Sequence, residues 1–199
     1  MQPNIKTYFR LILFFFIYFF INAETVPPNA DILFWLKNRP LRFSDFKGNP
    51  QEDYINFGNR TSENIIHKLG TISKSIDLTY INSHGSTTFN IYAGMNTKDS
   101  WIKNKNDTIT LKHEQGHFDI CEIYARILRR DIKKAKTIDE AKKIYENISE
   151  AENIEQDKYD QVNTFELGGI TKTWKDTIYN RLKILEVFQK PIVIVPIYK

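Results

Sequence analysis

Cysteine is almost absent from this 199-residue sequence, and the single Cys121 excludes an intramolecular disulfide. The fold must therefore rest on its apolar core, and the chain is long enough for one domain with such a core. Cys121 lies four residues after His117, on the same face of a helix, so a role as a metal ligand is conceivable. Three ligands on successive turns of one straight helix cannot easily surround a tetrahedral ion. We therefore interpret Cys121 as a buried core thiol.

A basic cluster interleaved with aromatic residues is also missing, although binding of nucleic acid would need one. Lys and Arg number 28 against 24 Asp and Glu, which gives a net charge of +4. Two of the basic residues, Lys6 and Arg10, lie in the first ten residues. We expect no nucleic-acid partner.

Long apolar runs are absent apart from one near the N-terminus, which extends unbroken from Leu11 to Ile21. It follows the two basic residues and is the pattern of a secretory signal peptide, residues 1–23, cleaved after Ala23. An uncleaved membrane anchor is the alternative, but a spanning helix needs about 20 residues. We therefore expect an exported protein, periplasmic or extracellular, without a stable membrane anchor after cleavage. Residues 24–199 would form its single domain.

The sequence does contain an H-E-x-x-H motif, from His113 to His117. Residues four apart share one face of an α-helix, so both imidazoles can direct a nitrogen at the same ion. Two histidines and a third protein ligand commonly hold catalytic zinc. Glu114 lies at the edge of that face, where it is a poor ligand but a suitable general base. Gly116 leaves room beside the second ligand for close approach of another backbone or a substrate. The alternative is a helix with two unrelated histidines.

The context of the motif is helical, as this chemistry requires. Asp107 is a plausible N-cap and Thr108 opens the helix. Apolar residues then recur at helical spacing, namely Ile109, Phe118, Ile120, Ile123, Tyr124, Ile127 and Leu128. The motif is therefore predicted to lie inside a long helix.

The segment upstream of the motif predicts an antiparallel hairpin. Residues 71–81 and 87–93 alternate between apolar and polar side chains, and 82–85 form a turn signal. A terminal strand is predicted within residues 191–199.

Two further helices are predicted downstream. Thr137 and Glu140 form a capping box that starts the first, which extends to about Asn163. Thr171 caps the second, after the break at Gly168-Gly169. In the first we assign the core face to Ala141, Ile144, Ile148, Ala151, Ile154 and Tyr159, and we interpret the Lys and Glu residues between them as solvated. Strands followed by helices indicate an α+β domain, a small antiparallel sheet packed on the motif helix and two others.

These motifs together resemble a bacterial exported family that is classed as a domain of unknown function and described as zinc-dependent proteases. The likeness is carried by the segment from His113 to Arg126, by Trp35 with the pattern from Pro40 to Gly48, and by Tyr159-Asp160 followed by Trp174. The resemblance implies a zincin-like domain with His113 and His117 as zinc ligands and Glu114 as base. The family's closing pattern continues with a His-Gly pair, whereas residues 161–168 here contain no histidine.

The third zinc ligand must come from another element, because one helix presents only two good donors to a tetrahedral site. Asp119 and Glu122 point away from the histidine face at about 100° per residue. His67 and His84 lie upstream in segments that give no positional argument. Folding the second helix back antiparallel brings residues of the 150s and 160s towards the motif, and we choose Asp160, with Glu166 and Glu155 as alternatives. Tyr159 would orient a ligand or stabilise the oxyanion.

The sequence thus predicts a zinc-dependent peptide-bond hydrolase with Zn²⁺ as cofactor and a peptide or protein as substrate. The alternative is a non-catalytic envelope interaction protein that keeps the fold, with or without a zinc ion. The missing histidine favours that alternative.

Overall fold

The computed structural model describes residues 31–50, 69–83, 85–163 and 168–197. The chain divides into two units between Asp31 and Ile32, and the second unit contains the elements below. The predicted signal peptide, residues 1–23, lies outside the described residues, as do His67, His84 and Glu166.

A four-stranded antiparallel sheet is built around one long strand, β3, Ser86–Ile102. Strand β2, Gly70–Ser83, pairs with it along one side from Ser83↔Ser86 back to Gly70↔Ile102. The other side of β3 is shared end to end by β1, Ile32–Phe34, and β4, Ile192–Val195. The predicted hairpin and terminal strand are both confirmed.

Strand β3 continues well past the predicted end at Ala93, because Gly94 lies within the strand and does not begin a turn. A side chain at residue 94 would bring its Cβ within 2.6 Å of the Asp77 carboxylate on β2 and 3.2 Å of Ile32 on β1. The glycine is therefore required by close packing of neighbouring strands and does not end the strand.

Three helices cover one face of the sheet: α1, Thr108–Asp131, α2, Ile138–Val162, and α3, Lys172–Ile184. Their predicted N-caps are confirmed, since the side chains of Asp107, Thr137 and Thr171 each accept a main-chain N–H of the first turn. A short 3₁₀ turn, Ile132–Lys134, reverses the chain between α1 and α2. No helix within the described ranges combines the length and the apolar character that crossing a membrane requires.

The main core lies between the sheet and α1. Its fully buried members include residues of β3 and of one face of α1: Phe89, Ile91, Ala93, Met95, Phe118, Cys121, Ala125 and Leu128. Cys121 is 0% exposed, which confirms the interpretation as a core thiol, and burial raises the pKa of its thiol well above the usual value. The α+β prediction is confirmed at this level of an antiparallel sheet packed against three helices.

The core face assigned to the second half of α2 was wrong at Ala151 and Ile154, although Tyr159 is buried as predicted. Ala151 and Ile154 are exposed, whereas Glu152 and Gln156 are 5% and 6% exposed. The reason is that this part of α2 packs against the polar side chains of the motif on α1, so its buried face is itself polar. A search for apolar residues alone therefore follows the wrong side of the helix.

Candidate metal centre

Helix α1 presents His113 and His117 one turn apart, as the motif predicts. The two side chains are buried, with 6% and 8% of the residues exposed, and their rings meet edge to face with centroids 4.7 Å apart. The Nε2 atoms lie 3.0 Å from each other. Two imidazole nitrogens are thus aimed at a common point.

Helix α2 brings Asp160 to that point. Its Oδ1 lies 3.1 Å from His113 Nε2 and 2.9 Å from His117 Nε2. The three side chains form a group that could hold a metal ion. The antiparallel arrangement from which Asp160 was chosen is present, because Asp160 meets His113 while the earlier Gln156 meets His117.

Other acidic candidates are bound elsewhere. Glu155 accepts from Tyr124 and forms an ion pair with Arg181 on α3. Asp119 accepts from Trp35 Nε1 at 2.7 Å, and Glu122 is held by two arginines of its own helix. Both α1 residues thus point away from the histidines, as helical geometry predicts.

The Nδ1 atoms of both histidines are held by hydrogen-bond acceptors. His113 Nδ1 donates to the carbonyl oxygen of Gly169 at 2.9 Å, and His117 Nδ1 donates to Gln156 Oε1 at 2.5 Å. A neutral imidazole has one N–H, so these bonds place the hydrogen on Nδ1 and leave a lone pair on Nε2. Such partners of the second nitrogen are typical of metal-binding histidines.

The electrostatics of the group require a positive charge between its members. Two Nε2 lone pairs and a carboxylate oxygen within about 3 Å would otherwise repel one another. Burial lowers the pKa of His113, but the hydrogen bond to Asp160 and the charge of Glu114 outweigh it and raise that pKa. Partial burial raises the pKa of Asp160, yet its bonds to the two histidines hold it well below the usual range. A proton or a metal cation satisfies this demand.

The donor set and its spacing fit zinc. A tetrahedral zinc ion with bonds of about 2.0–2.1 Å spaces its ligands about 3.4 Å apart. The observed separations of 2.9–3.1 Å need an adjustment of only a few tenths of an ångström. Asp160 has 57% of its side chain exposed, against 7% and 10% for the histidines. The group is therefore accessible from the side of Asp160.

Glu114 is buried beside the group, with only 3% of the residue exposed. Its carboxylate approaches the start of β2, where a Cβ at Gly70 would lie 3.0 Å from Glu114 Oε1. Its charge raises the pKa of His113. A buried carboxylate next to a candidate ligand is the arrangement that the motif predicts for a general base.

Tyr159 lies beneath the two histidines and is fully buried. Its hydroxyl donates to the main-chain carbonyl of His113 at 3.1 Å, with the carbonyl of Gly169 at 3.5 Å. Its ring centroid is 5.1 Å from that of His113 and 4.7 Å from that of His117. The Tyr159 side chain thus contacts the rings of both histidines and the main chain of His113.

Sequence reasoning missed Gln156 and Gly169. Gly169 has φ +78°, and a Cβ there would lie 2.4 Å from the carbonyl oxygen of Ile109. Because residue 169 is a glycine, its own carbonyl can reach His113. The available signal for Gln156 was its position four residues before Asp160, on the same side of α2.

Residues of the N-terminal segment fix the opposite side of α1. Leu41 N donates to Gln115 Oε1 at 2.7 Å, and Gln115 Nε2 donates to Asp119 Oδ1 at 2.8 Å. Trp35 donates to the same carboxylate oxygen. The two sequence patterns around Trp35 and the motif are therefore physically connected.

Comparison of the chain with protein-family models, with curated proteins and with solved structures finds no match.

Proposed function

We propose that this protein is a zinc-dependent peptide-bond hydrolase with a zincin-like site. The observation that carries the proposal is the meeting of His113, His117 and Asp160 beside the buried carboxylate of Glu114. Zinc held by this group would polarise a peptide carbonyl and lower the pKa of a water molecule to about 7. Peptide or protein is the substrate class that the motif favours.

Glu114 supplies the proton transfer in this proposal. Its carboxylate accepts a proton from the attacking water and returns it to the departing amine. The water oxygen bonds to the carbonyl carbon and the C–N bond breaks, so the products are a carboxylate and an amine. Asp160 lies on the exposed side of the group, where an extended substrate would approach.

The protein is proposed to act outside the cytoplasm. This proposal rests on the signal-peptide pattern of residues 1–23, with cleavage after Ala23, and on nothing in the described structure. Intact-mass measurement of protein from the periplasm or medium tests it, since a mass that includes residues 1–23 would contradict cleavage.

A second candidate is a non-catalytic envelope interaction protein that keeps the metal group. The absence of histidine in residues 161–168 favours it, because the resembled family has one there. The hydrolase requires bound metal and the interaction protein does not, so turnover is the property that separates them.

The deciding experiment combines metal analysis with a cleavage assay on unstructured proteins. Wild type and Glu114→Ala should each hold one zinc ion per chain, while Glu114→Ala loses hydrolysis. Glu146→Ala, an exposed carboxylate on α2, is the matched control and should retain it. Zinc-loaded wild type without Glu114-dependent cleavage would support the interaction protein, and a chain that binds no zinc would contradict the hydrolase.

A further inference from the structure

The metal group is connected to the edge of the sheet by a chain of buried polar side chains. Lys74 on β2 donates to Glu152 Oε1 at 2.7 Å, and Gln156 Nε2 donates to the same oxygen at 2.6 Å. Gln156 Oε1 in turn accepts from His117 Nδ1. We call Lys74, Glu152 and Gln156 the Gln156 relay.

Only one orientation of the Gln156 amide satisfies its neighbours. Its nitrogen faces two groups that can only accept, the main-chain carbonyl of His117 at 3.1 Å and the carboxylate of Glu152. The amide oxygen is therefore fixed towards His117 Nδ1. That oxygen can accept but not donate, so His117 must carry its hydrogen on Nδ1.

Lys74 gives the Gln156 relay its charge balance. Glu152 has 7% of its side chain exposed and Lys74 has 13%, so the pair is largely withdrawn from water. A buried carboxylate without its partner is strongly disfavoured. The Lys74 ammonium thus faces the Glu152 carboxylate oxygen that accepts from Gln156 Nε2 and so orients the amide.

We propose that the Gln156 relay is a positioning device for the metal site, which sets the hydrogen of His117 on Nδ1 and its lone pair on Nε2. The inference rests on the metal group of the proposed function but not on catalysis. Gln156, Glu152 and Lys74 act through His117 and are positioning residues. Partners of this kind typically alter metal affinity 10- to 100-fold when removed.

The alternative is that the same contacts only hold α2 against β2. Tyr145 offers a matched control, because its hydroxyl donates to the carbonyl of Ile76 at 3.2 Å. That hydrogen bond joins the same helix to the same strand but does not reach His117. Tyr145→Phe therefore removes a hydrogen bond between the two elements and leaves the Gln156 relay intact.

The test measures zinc affinity by competition with a chromophoric chelator, together with the visible spectrum of the Co²⁺-substituted chain. Gln156→Met should weaken zinc binding about 10- to 100-fold and alter the Co²⁺ bands. Lys74→Met should act in the same direction, and Tyr145→Phe should stay within about twofold of wild type. Equal affinity in Gln156→Met and Tyr145→Phe would overturn the inference.

A compensating pair keeps the test valid if Gln156→Met does not fold. Gln156→Glu alone places two carboxylates together and should bind zinc weakly. Adding Glu152→Gln exchanges acid and amide, removes that repulsion while keeping an acceptor for His117 Nδ1, and should recover affinity to within a few-fold of wild type. Failure of the double variant to improve on Gln156→Glu would contradict the inference. If the wild-type protein binds zinc but catalyses no hydrolysis, that result would contradict the proposed hydrolase but not the inference about the Gln156 relay.

Discussion

The hydroxyl of Tyr159 occupies the space that a side chain at residue 116 would need. A Cβ on Gly116 would lie 2.0 Å from the Tyr159 hydroxyl oxygen and 2.5 Å from its ring carbon Cζ. Gly116 was expected to admit another backbone or a substrate, but the group that approaches it is the side chain of Tyr159. Because Gly116 has no side chain, Tyr159 on α2 can pack against the rings of both histidines.

Gly116→Ala should destabilise the protein, although glycine to alanine in a helix ordinarily stabilises by about 1 kcal/mol. The clash involves a fully buried ring, and overpacking of this kind costs about 1–3 kcal/mol or more. Urea unfolding measures the change in the free energy of unfolding. Gly85→Ala is the comparison, since nothing lies within 4 Å of its Cβ and only its φ of +77° opposes the substitution. Stabilisation by Gly116→Ala would contradict the steric argument.

Asp160→Ala should weaken zinc binding by more than about 100-fold. Removing a metal ligand is expected to weaken binding more than removing a residue that only hydrogen-bonds to a ligand. The folded apo protein should remain, since Asp160 is largely exposed. Glu155→Ala serves as control, as this carboxylate pairs with Arg181 and should leave zinc affinity unchanged. If Asp160→Ala holds zinc as tightly as wild type, Asp160 is not a ligand and Glu166 is the next residue to test.

The stability of the protein should carry a pH dependence from Asp119. Burial raises its pKa to about 6, against hydrogen bonds from Trp35 and Gln115 that lower it, whereas an unfolded aspartate has a pKa of about 3.9. The folded state then binds more protons between these values, so this contribution to stability is present at about pH 4 and is lost as the pH rises through about 6.

Asp119→Asn removes that titration while keeping an acceptor for Trp35. Wild type should therefore become more stable relative to Asp119→Asn as the pH falls from about 7 to 4. Urea unfolding of both proteins across that range, with a chelator present, gives the difference. A difference that does not change with pH would show that Asp119 ionises normally.

Glu122→Ala should be strongly destabilising because it leaves two buried arginines without their partner. Arg126 and Arg129 both donate to the Glu122 carboxylate, and each of the three residues is at most 3% exposed. Breaking such a buried pair costs about 3–5 kcal/mol. Asp176→Ala breaks the exposed pair with Lys172 and should leave the free energy of unfolding nearly unchanged. Thermal or urea unfolding of the two variants measures the contrast.

Local patterns were enough to predict the hairpin, the three helix caps and the histidine pair. Each depends on residues within one turn or one strand, such as Asp107 with the first turn of α1. Asp160 was reached by counting along two antiparallel helices, a coarse form of tertiary reasoning. These features are local, or nearly so.

Glu152, Gln156 and the Gly169 carbonyl could not be reached in the same way. A buried polar side chain is recognised by its partner, and the partner of Gln156 is 39 residues away on another helix. Gly169 has no side chain at all, and its contribution is a main-chain oxygen. Sequence patterns describe which side chains avoid water, whereas these groups are buried because of the particular atoms they meet.

The division of one side of β3 between β1 and β4 has a consequence for folding. Asn90 pairs with Ile192, about a hundred residues later in the chain, so β4 can dock only after a long loop has closed. Until then the N–H and C=O groups of Thr87 to Asn90 form an open edge beside Phe89 and Ile91. Open edges of this kind recruit strands of other molecules. Aggregation during refolding should therefore rise with protein concentration, and slow docking of β4 onto β3 would be the step that determines the extent of aggregation.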